Sequence, residues 1–145
     1  MPAFPQILIV EDDEDDRQFI REAFEDDDLN CELVFAVDGS SALDLLNTSD
    51  RLPTLMLLDI NMPRMNGFDL LERVRSSARL RPLPVIVFST SNSAETIAAA
   101  YDRGANSFIP KPSNYLDFTR VLSEVRRYWI QLSRVPDHSR MRGTF

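Results

Sequence analysis

The side chains able to do chemistry in this sequence stand directly after apolar runs. ILIV (7–10) is followed by Glu11, Asp12 and Asp13, LMLL (55–58) by Asp59, and VIVF (85–88) by Ser89 and Thr90. A further run, FIP, ends at Lys111, the one lysine of a chain that otherwise carries its positive charge on fifteen arginines. Carboxylates brought together from separate runs repel one another unless a cation lies between them. Hard oxygen ligands with room left for water suit Mg²⁺. An acidic helix N-terminus, favoured by the helix dipole, accounts for Glu14, Asp15 and Asp16, but not for acids at the very end of an apolar run. A lysine fits such a pocket for its own reason: an ammonium is a compact point charge on a thin stem, whereas a guanidinium is a wide planar fork.

Other chemistries fit less well. EDDEDD follows an apolar run rather than a helix and has no glycine at the sixth position of an EF-hand loop. The single histidine, His138, falls in a polar C-terminal stretch, which disfavours zinc and a Ser-His-Asp triad. None of the four glycines precedes a Lys-Ser/Thr pair, so there is no Walker-type phosphate loop. The single cysteine, Cys31, excludes an internal disulfide.

The elements that must position these groups are legible in the periodicity. ILIV, LMLL and VIVF are apolar without alternation, as a parallel sheet covered on both faces requires. CELVFA (31–36) and NSFIP (106–110) read as two more strands. Helical spacing joins Phe19, Ile20, Ala23 and Phe24, then Ala42, Leu43, Leu45 and Leu46. It recurs in Phe68, Leu70, Leu71 and Val74, in Ile97, Ala98 and Tyr101, and in Phe118, Val121, Leu122, Val125, Trp129 and Leu132. Asp38-Gly39 and Asn66-Gly67 read as turns, and Gly104 as a C′ glycine. The expected fold is α/β: (βα)₅, a doubly wound parallel five-stranded sheet of order 2-1-3-4-5. Ligands of such sheets bind at the carboxyl ends of the strands, near the switch point between the first and third. That edge receives every group named above.

With 145 residues, one domain is expected over 1–132, with a loose extension over 133–145. No apolar run reaches the roughly 20 residues that span a bilayer. MPAFPQILIV lacks the basic region of a signal peptide, so the cytoplasm is the expected compartment. The net charge of −7 disfavours nucleic acid.

ILIVEDDEDD, LLDINMPRMNGFDLL, VIVFSTS and FIPKP together resemble the receiver domain of two-component response regulators, over about residues 6–132. The resemblance implies that Asp59 is the phosphoacceptor, forming a 4-aspartylphosphate, and that Glu11 and Asp12 hold Mg²⁺ with Asp59. It implies that Asn61 gives the metal a backbone carbonyl, that Ser89 binds the phosphoryl group and that Lys111 is the phosphate-facing lysine. Ser89 and Phe108 fall at the switch positions, where phenylalanine keeps the ring of the family's tyrosine and loses its hydroxyl. The Lys111–Pro112 bond is expected to be cis, X-Pro being where cis costs only about 0.5–1 kcal/mol.

The implied function is a stand-alone switch rather than an enzyme with a separate substrate. Its phosphoryl donor would be a sensor histidine kinase. RYWIQLSRVP (127–136) resembles the ending of single-domain receivers that partner bacterial phytochrome-type kinases. Whether the phosphoryl group stays or passes to a histidine phosphotransfer protein is left open by the sequence. A phosphatase of the haloacid dehalogenase type would need an acid two residues after Asp59, where this chain has Asn61. A receiver-like module that is never phosphorylated would not need Asp12, Asp59, Ser89 and Lys111 all intact. A homodimer is expected through the fourth helix, fifth strand, fifth helix and C-terminal extension. The fifth helix, about Tyr115 to Leu132, would be roughly 27 Å long, with Tyr128 and Ile130 flanking its inward stripe and Ala98, Ala99 and Ala100 presented by the fourth helix.

Overall fold

The computed structural model describes residues 4–25 and 31–136. The expected loose extension is thus seen only from Ser133 to Pro136, which carry no helix or strand, and the rest of it, His138 included, lies outside the described residues. Strand and helix alternate five times: β1 (Gln6–Val10), α1 (Glu14–Glu25), β2 (Glu32–Ala36), α2 (Gly39–Thr48), β3 (Leu55–Leu58), α3 (Gly67–Ser76), β4 (Val85–Ser89), α4 (Ala94–Asp102), β5 (Ser107–Pro110) and α5 (Tyr115–Arg126). A π-helical segment, Arg127–Leu132, continues α5. The five strands are parallel and ordered β2-β1-β3-β4-β5, as expected.

The apolar strands serve two cores at once. Leu8, Val10, Met56, Leu58, Val85 and Val87 point to the face covered by Ala42 and Leu46 of α2, Leu70, Leu71 and Val74 of α3, and Ala100 of α4. Their neighbours Ile7, Ile9, Leu55, Leu57, Ile86 and Phe88 point the other way, onto Ile20, Ala23 and Phe24 of α1 and Phe118, Leu122 and Val125 of α5. Each fully buried side chain of this size contributes about 1.5–3 kcal/mol, which is why alternation is absent. Edge-to-face rings join α1 to α5, with Phe19 at 5.2 Å from Tyr115 and 5.7 Å from Phe118.

Several local expectations are corrected. Asp38 and Asn66 are helix N-caps rather than turn residues, accepting from the N–H groups of Ser41 and Asp69. Their glycines open the helices because the backbone of another loop passes there: a Cβ on Gly67 would lie 2.6 Å from the Asp59 carbonyl oxygen. Gly104 does follow α4 as a C′ glycine, at φ 102°. Tyr101, expected on the inward face of α4, is 50 % exposed, and Ala100, expected on the outward face, is fully buried. Three short alanines gave the helix too little contrast to fix its phase.

At the C-terminus the regular α-helix stops at Arg126, and Ser133 N–H reaches back five residues to the Tyr128 carbonyl. The wider turn breaks the 3.6-residue stripe. Trp129 and Ile130 pack partly against the core, while Leu132, expected inward, is 62 % exposed and Tyr128 is 54 % exposed.

No peptide bond among the described residues is cis, so the Lys111–Pro112 bond, expected cis, is trans. Lys111 N–H donates to the Ser89 carbonyl at 2.9 Å. That bond carries the β4–β5 pairing past Pro110 and aims the lysine along the sheet edge without a cis turn.

Candidate functional site

The register of the sheet assembles the site. Val10 pairs with both Ala36 and Leu58, and the ladder continues one step further on each side. Glu11 N–H donates to the Ala36 carbonyl at 2.9 Å and Asp59 N–H to the Val10 carbonyl at 3.0 Å. The two acids therefore leave adjacent strand ends side by side. One carboxylate oxygen each from Glu11, Asp12 and Asp59 lie within 4.8 Å of one another. Glu11 and Asp59 are buried, while Asp12 is exposed.

Lys111 enters from β5. Its Nζ donates to Glu11 Oε1 at 2.5 Å, Asp16 Oδ2 at 2.8 Å and Asp59 Oδ2 at 3.4 Å, with the side chain only 5 % exposed. Burial works against a charged lysine, but Glu11 and then Asp59 outweigh it and hold its pKa above the ordinary lysine value. Burial above all, against the pull of Lys111 and with the added push of the Asp59 charge, raises the Glu11 carboxyl to about 8. One ammonium among these acids leaves the pocket short of positive charge. Three hard oxygen donors, one of them open to solvent, fit a divalent metal ion.

The loops around the acids are held as firmly. Asn61 N–H donates to Asp59 Oδ1 at 3.2 Å, and Asn61 Nδ2 donates to Ser91 Oγ at 2.5 Å, tying the loop after β3 to the loop after β4. Ser89 is fully buried, and its Oγ accepts from Ser91 N–H at 3.1 Å. Arg64, at φ 62°, is the one non-glycine residue in the left-handed region among the described residues, and its guanidinium lies 3.3 Å from the Asp38 carboxylate.

Of the residues expected to form the site, the structure thus gathers Glu11, Asp12, Asp59 and Lys111, with Asn61 bonded to Asp59 and Ser89 on the same edge. Phe108 does not join them. It is half-buried against the core on the α2–α4 face, and its N–H donates to Tyr101 Oη at 3.3 Å. Tyr101 was missed because its spacing suggested core. Asp16 was missed because it is one of six acidic residues in an unbroken run, EDDEDD, and only the first turn of α1 shows which of them faces Lys111.

Residues 7–123 match the family model described as "Response regulator receiver domain". Among curated relatives, the probable methanogenesis regulatory protein FilR2 of Methanothrix harundinacea (strain 6Ac) is 34 % identical over 90 % of this chain and 86 % of its own. Among solved structures, the phosphorylated cyanobacterial phytochrome response regulator RcpA superposes with a TM-score of 0.87 at 30 % identity, over 92 % of this chain and 99 % of that one. The Mn²⁺-bound form of response regulator Rcp1 superposes with a TM-score of 0.85 at 26 % identity, over 91 % and 99 % of the two chains.

Proposed function

The chain belongs to the response regulator receiver family, and from that premise we propose that it is a phosphoacceptor switch with Asp59 as its phosphorylation site. The observation that carries this reading is the seat of Asp59. It is buried at the end of β3 beside Glu11 and Asp12, with the Lys111 ammonium, itself bonded to Glu11, 3.4 Å away. The phosphoryl donor is a sensor histidine kinase. An Asp59 carboxylate oxygen attacks the phosphorus of the kinase phosphohistidine. The new O–P bond forms as the N–P bond breaks, and the electron pair of that bond returns to the imidazole nitrogen.

Glu11, Asp12, Asp59 and the Asn61 backbone carbonyl would hold the metal, Mg²⁺ by the chemistry of the donor set. When bound, it supplies positive charge to the phosphoryl oxygens. Lys111 supplies the same from β5, so catalysis is mostly positioning and electrostatics. Ser89 accepts from Ser91 N–H, which orients its hydroxyl to donate to a phosphoryl oxygen. Hydrolysis restores Asp59: water attacks phosphorus and inorganic phosphate departs, with the bonded pair Asn61–Ser91 flanking the approach. The protein acts as a self-modifying signal carrier rather than as an enzyme turning over a separate substrate. The signal is a shift between two conformations, biased by the phosphoryl group and read through Ser89 and Phe108.

Likeness to RcpA supports a phytochrome-type kinase as partner, with a histidine phosphotransfer protein as the onward acceptor to be tested beside it. The cytoplasm suits such a partner. The receiver unit spans 1–132, and 133–145 extends it. Exposed Tyr128 and Leu132, and a groove of about 570 Å³ where Tyr128, Trp129, Ile109 and Val121 are joined by the polar Arg120 and Glu124, support a homodimer through α4, β5, α5 and that extension. The function is tested with a histidine kinase autophosphorylated from labelled ATP. Label should move to the chain in Mg²⁺ and stay on the kinase when the metal is chelated. Transfer that ignores chelation, or no transfer from any phytochrome-type kinase or from acetyl phosphate, contradicts the reading.

A further inference from the structure

Asp16 sits in the first turn of α1, where the helix dipole ordinarily suffices to explain an acid. Its side chain has a more particular partner. Asp16 Oδ2 accepts from Lys111 Nζ at 2.8 Å, a shorter bond than the 3.4 Å to Asp59 Oδ2. With Glu11 Oε1 at 2.5 Å, the ammonium leans away from Asp59, toward the end of β1 and the start of α1. An ammonium has three hydrogens, and here three carboxylates share them. A phosphoryl group on Asp59 adds oxygens that need the same hydrogens. Asp16 is 23 % exposed, against 3 % for Glu11, so water can replace the ammonium most readily there.

We propose that Asp16 is a positioning residue: it seats the Lys111 ammonium on the α1 side of the pocket while Asp59 is unmodified, and competes with the phosphoryl group for that ammonium afterwards. This rests on the reading of Asp59 as phosphoacceptor. The two ligands of the pocket are then affected in opposite directions. Asp16 opposes the phosphoryl group, both by its own charge and by withholding the lysine. It favours a metal cation, by drawing the ammonium away from Asp59 and by adding negative charge.

Calorimetric titration of the full chain with Mg²⁺ alone, and then with beryllium fluoride as the phosphoryl mimic in saturating Mg²⁺, tests the proposal. Asp16→Asn should bind beryllium fluoride about tenfold more tightly, the effect of one charge-assisted hydrogen bond that no longer has to be given up. The same variant should bind Mg²⁺ alone several-fold more weakly. Asp16→Glu should return both values toward wild type, and Asp15→Asn, which removes an exposed neighbouring charge, should change neither by more than about twofold. In wild type itself, the carboxyl carbon resonance of Asp16 should move when beryllium fluoride is added, and that of Asp15 should not. A merely structural role would weaken both ligands together. Changes of the same sign, no change in Asp16→Asn, or a stationary Asp16 resonance overturns the proposal. A wild type that fails to take up beryllium fluoride instead overturns the phosphoacceptor reading, and this inference with it.

Discussion

The lone lysine is the residue on which the pocket turns. Lys111 is enclosed, with its side chain 5 % exposed, among three carboxylates that fit an ammonium and not a planar fork. Lys111→Arg is expected to keep phosphorylation by acetyl phosphate but to lose the conformational response, seen as amide resonances of β5 that stay put after the modification. Normal shifts in that variant would show that charge alone suffices. Asp38 offers a second residue-level test, away from the pocket. The Ser41 backbone N–H, 2.7 Å away, holds the Asp38 carboxyl below its ordinary range; burial acts in the other direction, and Arg64 adds to the lowering. A carboxyl lowered in the folded state stabilises the fold at pH values above its unfolded value and ceases to do so as the pH falls through the folded one. Urea midpoints should therefore show wild type more stable than Asp38→Asn at neutral pH, the gap closing as the pH falls below 3.8. A gap that persists unchanged in strong acid contradicts this. That Glu11, Asp12, Asp59 and Lys111 would share one edge of the sheet could be read from the sequence because they stand at the ends of apolar runs, where a strand end must be. The contacts of Asp16 and Tyr101 could not, since they depend on which way a helix faces.

Among the elements, strands were easier to foresee than helix phases. Four to five consecutive apolar residues admit one interpretation once both faces are covered, and β3 matches its expected bounds, 55–58. Helix faces depend on contrast between sides, which the alanines of α4 do not provide. The π-helical segment depends on a backbone bond that no side-chain pattern announces. Arg75 is likewise invisible as one arginine among fifteen. At the end of α3 it donates to the carbonyls of Gly104, Arg81 and Leu83 and to Asn106 Oδ1, at 2.7–2.9 Å. Asn106 Oδ1 accepts in turn from Val85 N–H, so one guanidinium ties α3 to the amino ends of β4 and β5. Arg75→Ala should lower the unfolding free energy by about 3 kcal/mol, because several carbonyls lose a charged donor together. Arg75→Lys should recover only part of that, as one ammonium cannot span the same fork. Equal urea midpoints for wild type and Arg75→Ala would refute the latch.

For the whole molecule, helices on both faces of the sheet follow from five βα units with right-handed crossovers, and the order 2-1-3-4-5, one of the doubly wound orders, sets the pocket at the carboxyl ends of the first and third strands. What the molecule docks against is less legible in the sequence, because the π-helical turn rearranges the aromatic end. Tyr128 and Leu132 point outward while Trp129 packs partly on the core at 5.3 Å from the Tyr128 ring. Sedimentation should show a dimer at tens of micromolar protein that Trp129→Ala weakens, with its strength changing on phosphorylation. A wild type that is monomeric in both states would assign that face to a different partner. The central claim is that the buried aspartate at the end of β3 is the acceptor, and intact mass after acetyl phosphate treatment in Mg²⁺ tests it most directly. Wild type should gain a single phosphoryl group and Asp59→Asn none. Undiminished labelling of Asp59→Asn, or a wild type whose mass does not change, would contradict the account.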